Sequence, residues 1–579
     1  MYRSLILAAL FSLLASVANA ACPSSTSPTC GDPMQTTTSH SVMYATAYGV
    51  KADGVTSDDV ALKAAIDACA AKGTKLILPP GRILLTGAAT SNLKNCHIEG
   101  AGVLAGKQGD IASMGTLFLL TSTTVKPFTI ESHWKVSGAG FYWPNQTTGT
   151  TVYPFLMSPA TPSTGTTAWT LDNVTIVNAY NGVQANGGAF FIQDSLMYAV
   201  NELFEFSNIG DSFKVNNVHF TPGPWFNLTN FAAAHLLGAV TSNNIVFRFM
   251  GGGTVPVINM QLANVAGYAW RYGIVVESGV AVAQTSVDWQ MDATGTILET
   301  RPGGQWASGN TMRGSGICRH EDQDNSANVG NAPCFKFAGG NNNSNFNLND
   351  FAGTSVGSFI ENDGANITLN NVSASVGRGP GPSGDGADYY LIRSTQNYGG
   401  LNIHVKDSSF SGVAGGTKTH GIKTTTAASR ITAQNNGFIY FNDVLDVQAA
   451  PTTIITGNWM DATTGAESIV SATLASSGLN VTYANNQLDK PTKAVATACG
   501  AGCVTNSVFS GFIQIGTGTV TSGTLTLPWA SAGSACNFWL NGSGPAIAAT
   551  VASPRAWNWT TAGAVDVGGR QVFYACPVQ

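Results

Sequence analysis

Charge is the first thing this chain lacks. Asp, Glu, Lys and Arg make up only 10% of its 579 residues, against roughly 25% in ordinary soluble domains. The balance is mildly acidic, 27 basic against 32 acidic residues for a formal net charge of −5, and Lys and Arg form no runs. Both features argue against a nucleic-acid binder. No stretch beyond the N-terminus reaches the ~18 uninterrupted apolar residues of a spanning helix, so membrane insertion is not expected. No Cys or His cluster has zinc-ligand spacing, and no nucleotide loop or Cys–His nucleophile pair stands out. No cofactor is therefore expected, with calcium left open. What is present suffices for a large core: 44% of residues are hydrophobic, too many for wholesale disorder. Gly is plentiful, 66 residues, without the every-third spacing of collagen.

Residues 1–20 read MYRSLILAALFSLLASVANA. Arg3 supplies a charged start, Leu5 to Leu14 an apolar run and Ala18-Asn19-Ala20 a small-residue cleavage site, the pattern of a secretory signal peptide. The reading is an exported protein, extracellular or periplasmic, in an oxidising compartment. Ten cysteines suit that setting. Nearest-neighbour pairing gives Cys22–Cys30, Cys69–Cys96, Cys318–Cys334, Cys499–Cys503 and Cys536–Cys576.

The stretch from Tyr48 to Gly102 is the most informative. Asp53-Gly54 is a turn signal. Ser57 is the expected helix cap, with Asp58 and Asp59 in the positive first turn. Leu62, Ala65, Ile66 and Cys69 share one helical face, and Gly73 ends the helix. KLILPPG and RILLTG read as short buried strands, followed by CHIEGAG. The helix would cover an open sheet end. Tyr48-Gly49-Val50, Asp53-Gly54, Asp58-Asp59, the Ala-rich helix, Leu78-Pro79-Pro80-Gly81 and Ile98-Glu99-Gly100-Ala101-Gly102 together resemble the start of pectate-lyase-like proteins. That superfamily includes polygalacturonase-like enzymes and phage tailspike depolymerases. The resemblance implies an all-β fold, a right-handed parallel β-helix, and a polysaccharide partner. A homotrimer is implied by the tailspike likeness alone.

The middle of the chain supports the same fold by its own texture. Strand-like pieces recur with an Asn or Asp at a turn: LDNVTIVN near 172, VNNVHF near 216, NNIVF near 244, NLNDF near 348, ITLNNVS near 370, HVKDSSF near 407, ITAQNNGF near 434, ITGNWMD near 457 and VTYANNQL near 484. Asn and Asp accept left-handed turns, and the steps suit a coil of stacked strands. Antiparallel sandwich domains are the alternative. The expected organisation is a signal peptide over 1–20, an N-terminal extension over 21–46, the β-helix over 47–509 and a small β-rich module over 510–579. Trp529, Trp539, Trp557 and Trp559 in that module would stack on sugars or simply be buried.

The candidate chemistry centres on a repeat, Gly273-Ile-Val-Val-Glu277 and Gly295-Thr-Ile-Leu-Glu299, with a looser copy Gly357-Ser-Phe-Ile-Glu361. If 22 residues make one coil, Glu277 and Glu299 stack ~4.8 Å apart on neighbouring rungs. That spacing is the one used by retaining glycosidases, and repulsion would raise one pKa. Ion pairing with Arg271 or Arg301 is the plain alternative. Asp288 and Asp292 should face outward with Gln290, while Val287, Trp289 and Met291 face in. They are further acid candidates or a polar outer face. Arg271, Arg301, Arg313 and Arg319 could grip sugar carboxylates, and Trp270, Tyr272 and Trp306 could stack on sugar rings. The polygalacturonase motifs are missing apart from a fragment, His420-Gly421-Ile422-Lys423. One Gly-x-Ser-x-Gly occurs, Gly353-Thr-Ser355-Val-Gly357, but no helix is expected after it, so it reads as a turn. The expectation is a glycoside hydrolase. The alternatives are a polysaccharide lyase working through the Arg/Tyr cluster and a non-catalytic adhesin, since fold does not decide function.

Overall fold

The computed structural model describes residues 42–102, most of 111–459 with their side chains, and stretches of strand backbone from there to residue 575. Residues 1–41, the loop 319–332 and the cysteines at 22, 30, 499, 503, 536 and 576 lie outside the described residues, and so does the expected signal peptide.

Within the unit that begins at Met43, 37 strands form one ladder in which the pairings are parallel. Its first full turn shows the path. Strands Lys75–Ile77, Gly81–Leu85 and Ser91–Leu93 are followed by His97–Glu99, which returns to pair with the first of them, Leu76 opposite Ile98. Thr116–Leu120 then pairs with the second and Phe128–Ile130 with the third. Repeating this winding stacks three sheets, called here first, second and third in that order. The antiparallel sandwich is thereby excluded for this part of the chain. Parallel pairing ends at Leu488. From Val495 to Ala575 the described strands pair antiparallel.

The Asn and Asp residues of the repeated pieces do mark corners. At the junction of first and second sheets Asn173, Asp194, Asn217, Asn264, Asp350, Asn371, Asp407 and Asn435 all have φ between 50° and 55°. Their short polar side chains make this left-handed backbone tolerable. They also bond up the stack: Asn217 donates to Asp194 at 2.7 Å, Asn264 to Asn217 at 3.1 Å, Asn371 to Asp350 at 2.6 Å and Asn435 to Asp407 at 3.1 Å. Asn244 does not belong to this column; it is buried and bonds the carbonyls of Ala199 and Val200.

Two rungs omit the corner residue. Leu262 and Val265 pair with Val287 and Trp289, so Asp288 alone faces Ala263 and Asn264. The next rung matches it, Asp288 opposite Arg313, and the rung after restores the residue, Met312 and Gly314 pairing with Leu348 and Phe351. An Arg313–Asp288 ion pair of 3.0 Å stands where the amide column would run. Gly314 is needed here, because a Cβ would lie 2.0 Å from the Trp289 carbonyl oxygen at a φ of +127°.

The interior is apolar and stacked by type. Trp134, Trp169 and Phe190 overlie one another with ring centroids 5.2 and 4.6 Å apart. The helix Asp59–Lys72 buries Leu62, Ala65, Ile66 and Cys69 as its periodicity requires, and Gly73 ends it with φ 59°. Its N-cap is Asp58, not Ser57. Asp58 instead accepts bonds from the Lys51 and Ala52 amides, and Asp59 from those of Thr86 and Gly87. The cap is thus tied to the first coil by carboxylates as well as by Cys69–Cys96, which is formed, as is Cys318–Cys334.

Candidate functional site

The third sheet carries a charged column on its outer surface. Register places Glu205, Arg248, Val275, Glu299, Lys336, Glu361, Arg393 and Lys423 at successive ladder positions. Alternation directs Ile274 and Val276 into the core and leaves Val275 on the outer side, yet Val275 is fully buried beneath its neighbours. Opposite charges directly across a ladder attract, so the column is partly self-neutralising.

Glu277 and Glu299 do not stack as their 22-residue spacing suggests. The coil here is 24 residues long: Tyr272 pairs with Thr296, and Val275, not Glu277, lies opposite Glu299. Glu277 sits beside Arg301 instead and accepts its Nη1 at 2.6 Å and Arg248 Nε at 2.8 Å. Arg248 also holds Glu202 through Nη1. The retaining pair expected from the sequence is therefore replaced by ion pairing. Register does relate Glu299 to Glu361, two positions on with Lys336 between, so the looser Gly-x-x-x-Glu copy is the structurally matched one.

The environments of these carboxylates differ. Burial, then neighbouring Glu205, pushes Glu202 up to about 7 against the pull of Arg248. Burial likewise raises Glu361, opposed by Lys336 and Arg393. Glu361 is half-buried, whereas the Glu299 side chain is 9% exposed. Lys336 Nζ lies 3.4 Å from Glu299 Oε1. Glu299 Oε2 is buried and accepts no hydrogen bond among the described residues, its nearest cation being Arg301 Nε at 3.8 Å. Further along, the Tyr390 hydroxyl donates to Asp388 at 3.3 Å and its ring stacks on His420 at 5.1 Å. Arg393 and Lys423 lie over that ring at 5.5 and 5.4 Å. The fragment His420–Lys423 thus belongs to the charged sheet.

The remaining expected site residues scatter. Trp270 is 1% exposed, its Nε1 donating to the Phe220 carbonyl, and Trp306 is 0% exposed. Neither can stack on a sugar: Trp270 lies in the connection between Met260–Tyr268 and Tyr272–Val276 with its ring against Tyr198, and Trp306 is the buried residue of the two-residue strand Gln305–Trp306. Tyr272 is half-buried on the charged sheet, and Arg271 is half-buried just before it, its amide bonded to Asn244. Arg301 is committed to Glu277, and Arg313 to Asp288. Arg319 lies outside the described residues. Val287, Trp289 and Met291 are buried as expected, with Gln290 and Asp292 exposed, but on the second sheet, away from the glutamates. Ser355 is buried, donates to the Ser358 carbonyl and ends a strand rather than starting a helix. No group of three or more His, Cys, Asp or Glu among the described residues is arranged to hold a metal. No described helix is long and apolar enough to cross a membrane. Sequence reasoning missed Glu202, Arg248, Lys336, Tyr390 and Arg393, which no motif marks.

No family model matches this chain, and no curated protein does. Solved structures do. The pre-mature bacteriophage phi29 gene product 12 is 12% identical, with 76% of this chain and 58% of that one covered, at a TM-score of 0.51. The fold is a parallel β-helix. Tailspike protein gp49 from Pseudomonas phage LKA1 is 10% identical over 93% of this chain and 99% of its own, at 0.43. The A-module of mannuronan C-5 epimerase AlgE6 from Azotobacter vinelandii is 14% identical over 72% and 99%, at 0.34. At such identities the likeness is one of fold. On this β-helix the third sheet brings glutamates, arginines and a lysine together.

Proposed function

We propose that this protein hydrolyses a polysaccharide on its third sheet, with Glu361 as proton donor and Glu299 as base. The observation that carries the reading is the contrast between two carboxyl groups in one register column. Glu361 is half-open and raised by burial, which suits a general acid. Glu299 keeps one buried carboxylate oxygen that accepts no hydrogen bond among the described residues, an acceptor for a proton once the side chain turns toward a water on the sheet surface. Two ladder steps separate them by about 9.6 Å at the backbone, near the roughly 6.5–9.5 Å that leaves room for a water in inverting glycosidases. Lys336, between them in the column, offsets the negative charge of Glu299. Glu277, clamped by two guanidinium groups, is a positioning element.

The test is release of reducing ends from a polysaccharide panel. Glu361→Gln and Glu299→Gln should each cut turnover by roughly 10²-fold or more, with the folded state retained by circular dichroism. Activity should fall as pH rises and Glu361 loses its proton. Full turnover by both variants would sink the assignment. A second reading, β-elimination, is favoured by Tyr390 set among Arg393, Lys423 and His420. It predicts ultraviolet-absorbing unsaturated uronates, abolished by Tyr390→Phe. Binding without any product would leave an adhesin.

A further inference from the structure

The second sheet, away from the charged column, bears a groove of about 720 Å³. Its lining is built by register. His219, Ala266, Gln290, Ser315, Ala352 and Ser373 occupy one row, one residue per rung. At ~4.8 Å per rung, five steps make the row about 24 Å long. A second row two residues further along the strands holds Tyr268 beside Asp292 and Ile317 beside Thr354 and Ser375. Between the rows lie Gly267, Gly316 and Gly353, whose backbone lines the groove. A Cβ on each would point inward, meeting the side chains of Met291, Ile297 and Phe351 at 2.3, 2.5 and 2.6 Å. The core rises to the backbone there and the floor stays smooth.

The geometry points to a second ligand site here, a binding groove for an extended polysaccharide chain lying across the rungs. Three features select that occupant. The row runs about 24 Å and presents an outward-facing position at every rung, a length that suits an extended chain. The polar groups are hydroxyls and amides (Thr221, Gln290, Ser315, Thr354, Ser373 and Ser375), which exchange hydrogen bonds with sugar hydroxyls. The Asp292 carboxylate is exposed, with no hydrogen bond or ion pair among the described residues, and supplies two strong acceptors for a vicinal diol. A protein partner fits less well, because interface cores are enriched in aromatics and Arg and depleted in Ser. Here Tyr268 is the aromatic of the lining. The site stands apart from the carboxylate chemistry proposed for the third sheet. A protein that cleaves nothing would still bind here, and retention is measured without turnover.

Affinity electrophoresis through gels cast with amylose, dextran, galactomannan or alginate tests this, with the full chain as probe. At least one polymer should retard the protein, and retardation should persist in 1 M salt, since the described lining carries no ammonium or guanidinium group to screen. Ser315→Trp, filling the groove, should weaken retention about tenfold or more. Gln290→Ala with Asp292→Ala, which removes polar groups without adding bulk, should weaken it in the same direction. Retention by no polymer, loss of retention in high salt, or unchanged retention in both variants would each overturn the proposal. So would a change in oligomeric mass on Ser315→Trp, which would make the groove a contact between copies of this chain.

Discussion

Arg248 joins two glutamates in different settings: Glu277 also holds Arg301, while Glu202 is paired with Arg248 alone among the described residues and sits beside Glu205. The consequence is readable in stability. Glu202 rises from an ordinary value of 4.5 to about 7 on folding, so the folded state holds its proton more tightly than the unfolded chain. That stabilisation is complete below about pH 4.5 and is lost as pH climbs through 7. Glu202→Gln, which keeps an acceptor for Arg248 but cannot ionise, should therefore be more stable than the parent at pH 8, by on the order of a few kcal/mol. The two should converge near pH 4.5. Urea midpoints at several pH values check this; parallel curves for the two proteins would refute it.

Among the elements, the corner between first and second sheets is the most heavily marked. Asn371 combines φ 53° with a bond to Asp350. Asn371→Ala should cost about 1–2 kcal/mol, from the left-handed penalty and the lost bond. Asn371→Gly should cost less, because it relieves the first and not the second. Hydrogen exchange at the neighbouring amides reads the difference; equal protection in both variants would contradict it. This corner is also why the fold was legible before any coordinates. Asn173, Asn217, Asp350, Asn371, Asp407 and Asn435 all lie in pieces that the sequence already shows as strand, turn and strand. The cap helix face and the bridges Cys69–Cys96 and Cys318–Cys334 were legible for the same reason, that short-range chemistry sets them. The site was not. Whether Glu299 lies opposite Val275 or Glu277 depends on the length of an entire coil, the burial of Trp270 on how a connection between strands folds, and that of Trp306 on a strand two residues long.

For the stack as a whole, each rung rests chiefly on its neighbours, so stability is nearly a sum of local terms. The first rungs are closed by the helix and by Cys69–Cys96, whose cysteines lie 27 residues apart. Closing a loop of that size restricts the unfolded chain by about 3–4 kcal/mol. Cys69→Ala with Cys96→Ala should therefore loosen the helix Asp59–Lys72 first, seen as early proteolysis near residue 73 while the distant Cys318–Cys334 region stays protected. Uniform loss of protection would show the stack to be more cooperative than this. The two rungs that drop a corner residue bear on the same architecture. Both flanking sheets keep their pairing across the omission, Leu262 to Val287 on one side and Val265 to Trp289 on the other. A joint that swallows a single-residue deletion lets the chain change its repeat length without disturbing the walls. Lineages of such proteins are then free to drift in period, and a ruler of constant spacing laid along any one of them will misalign its functional side chains.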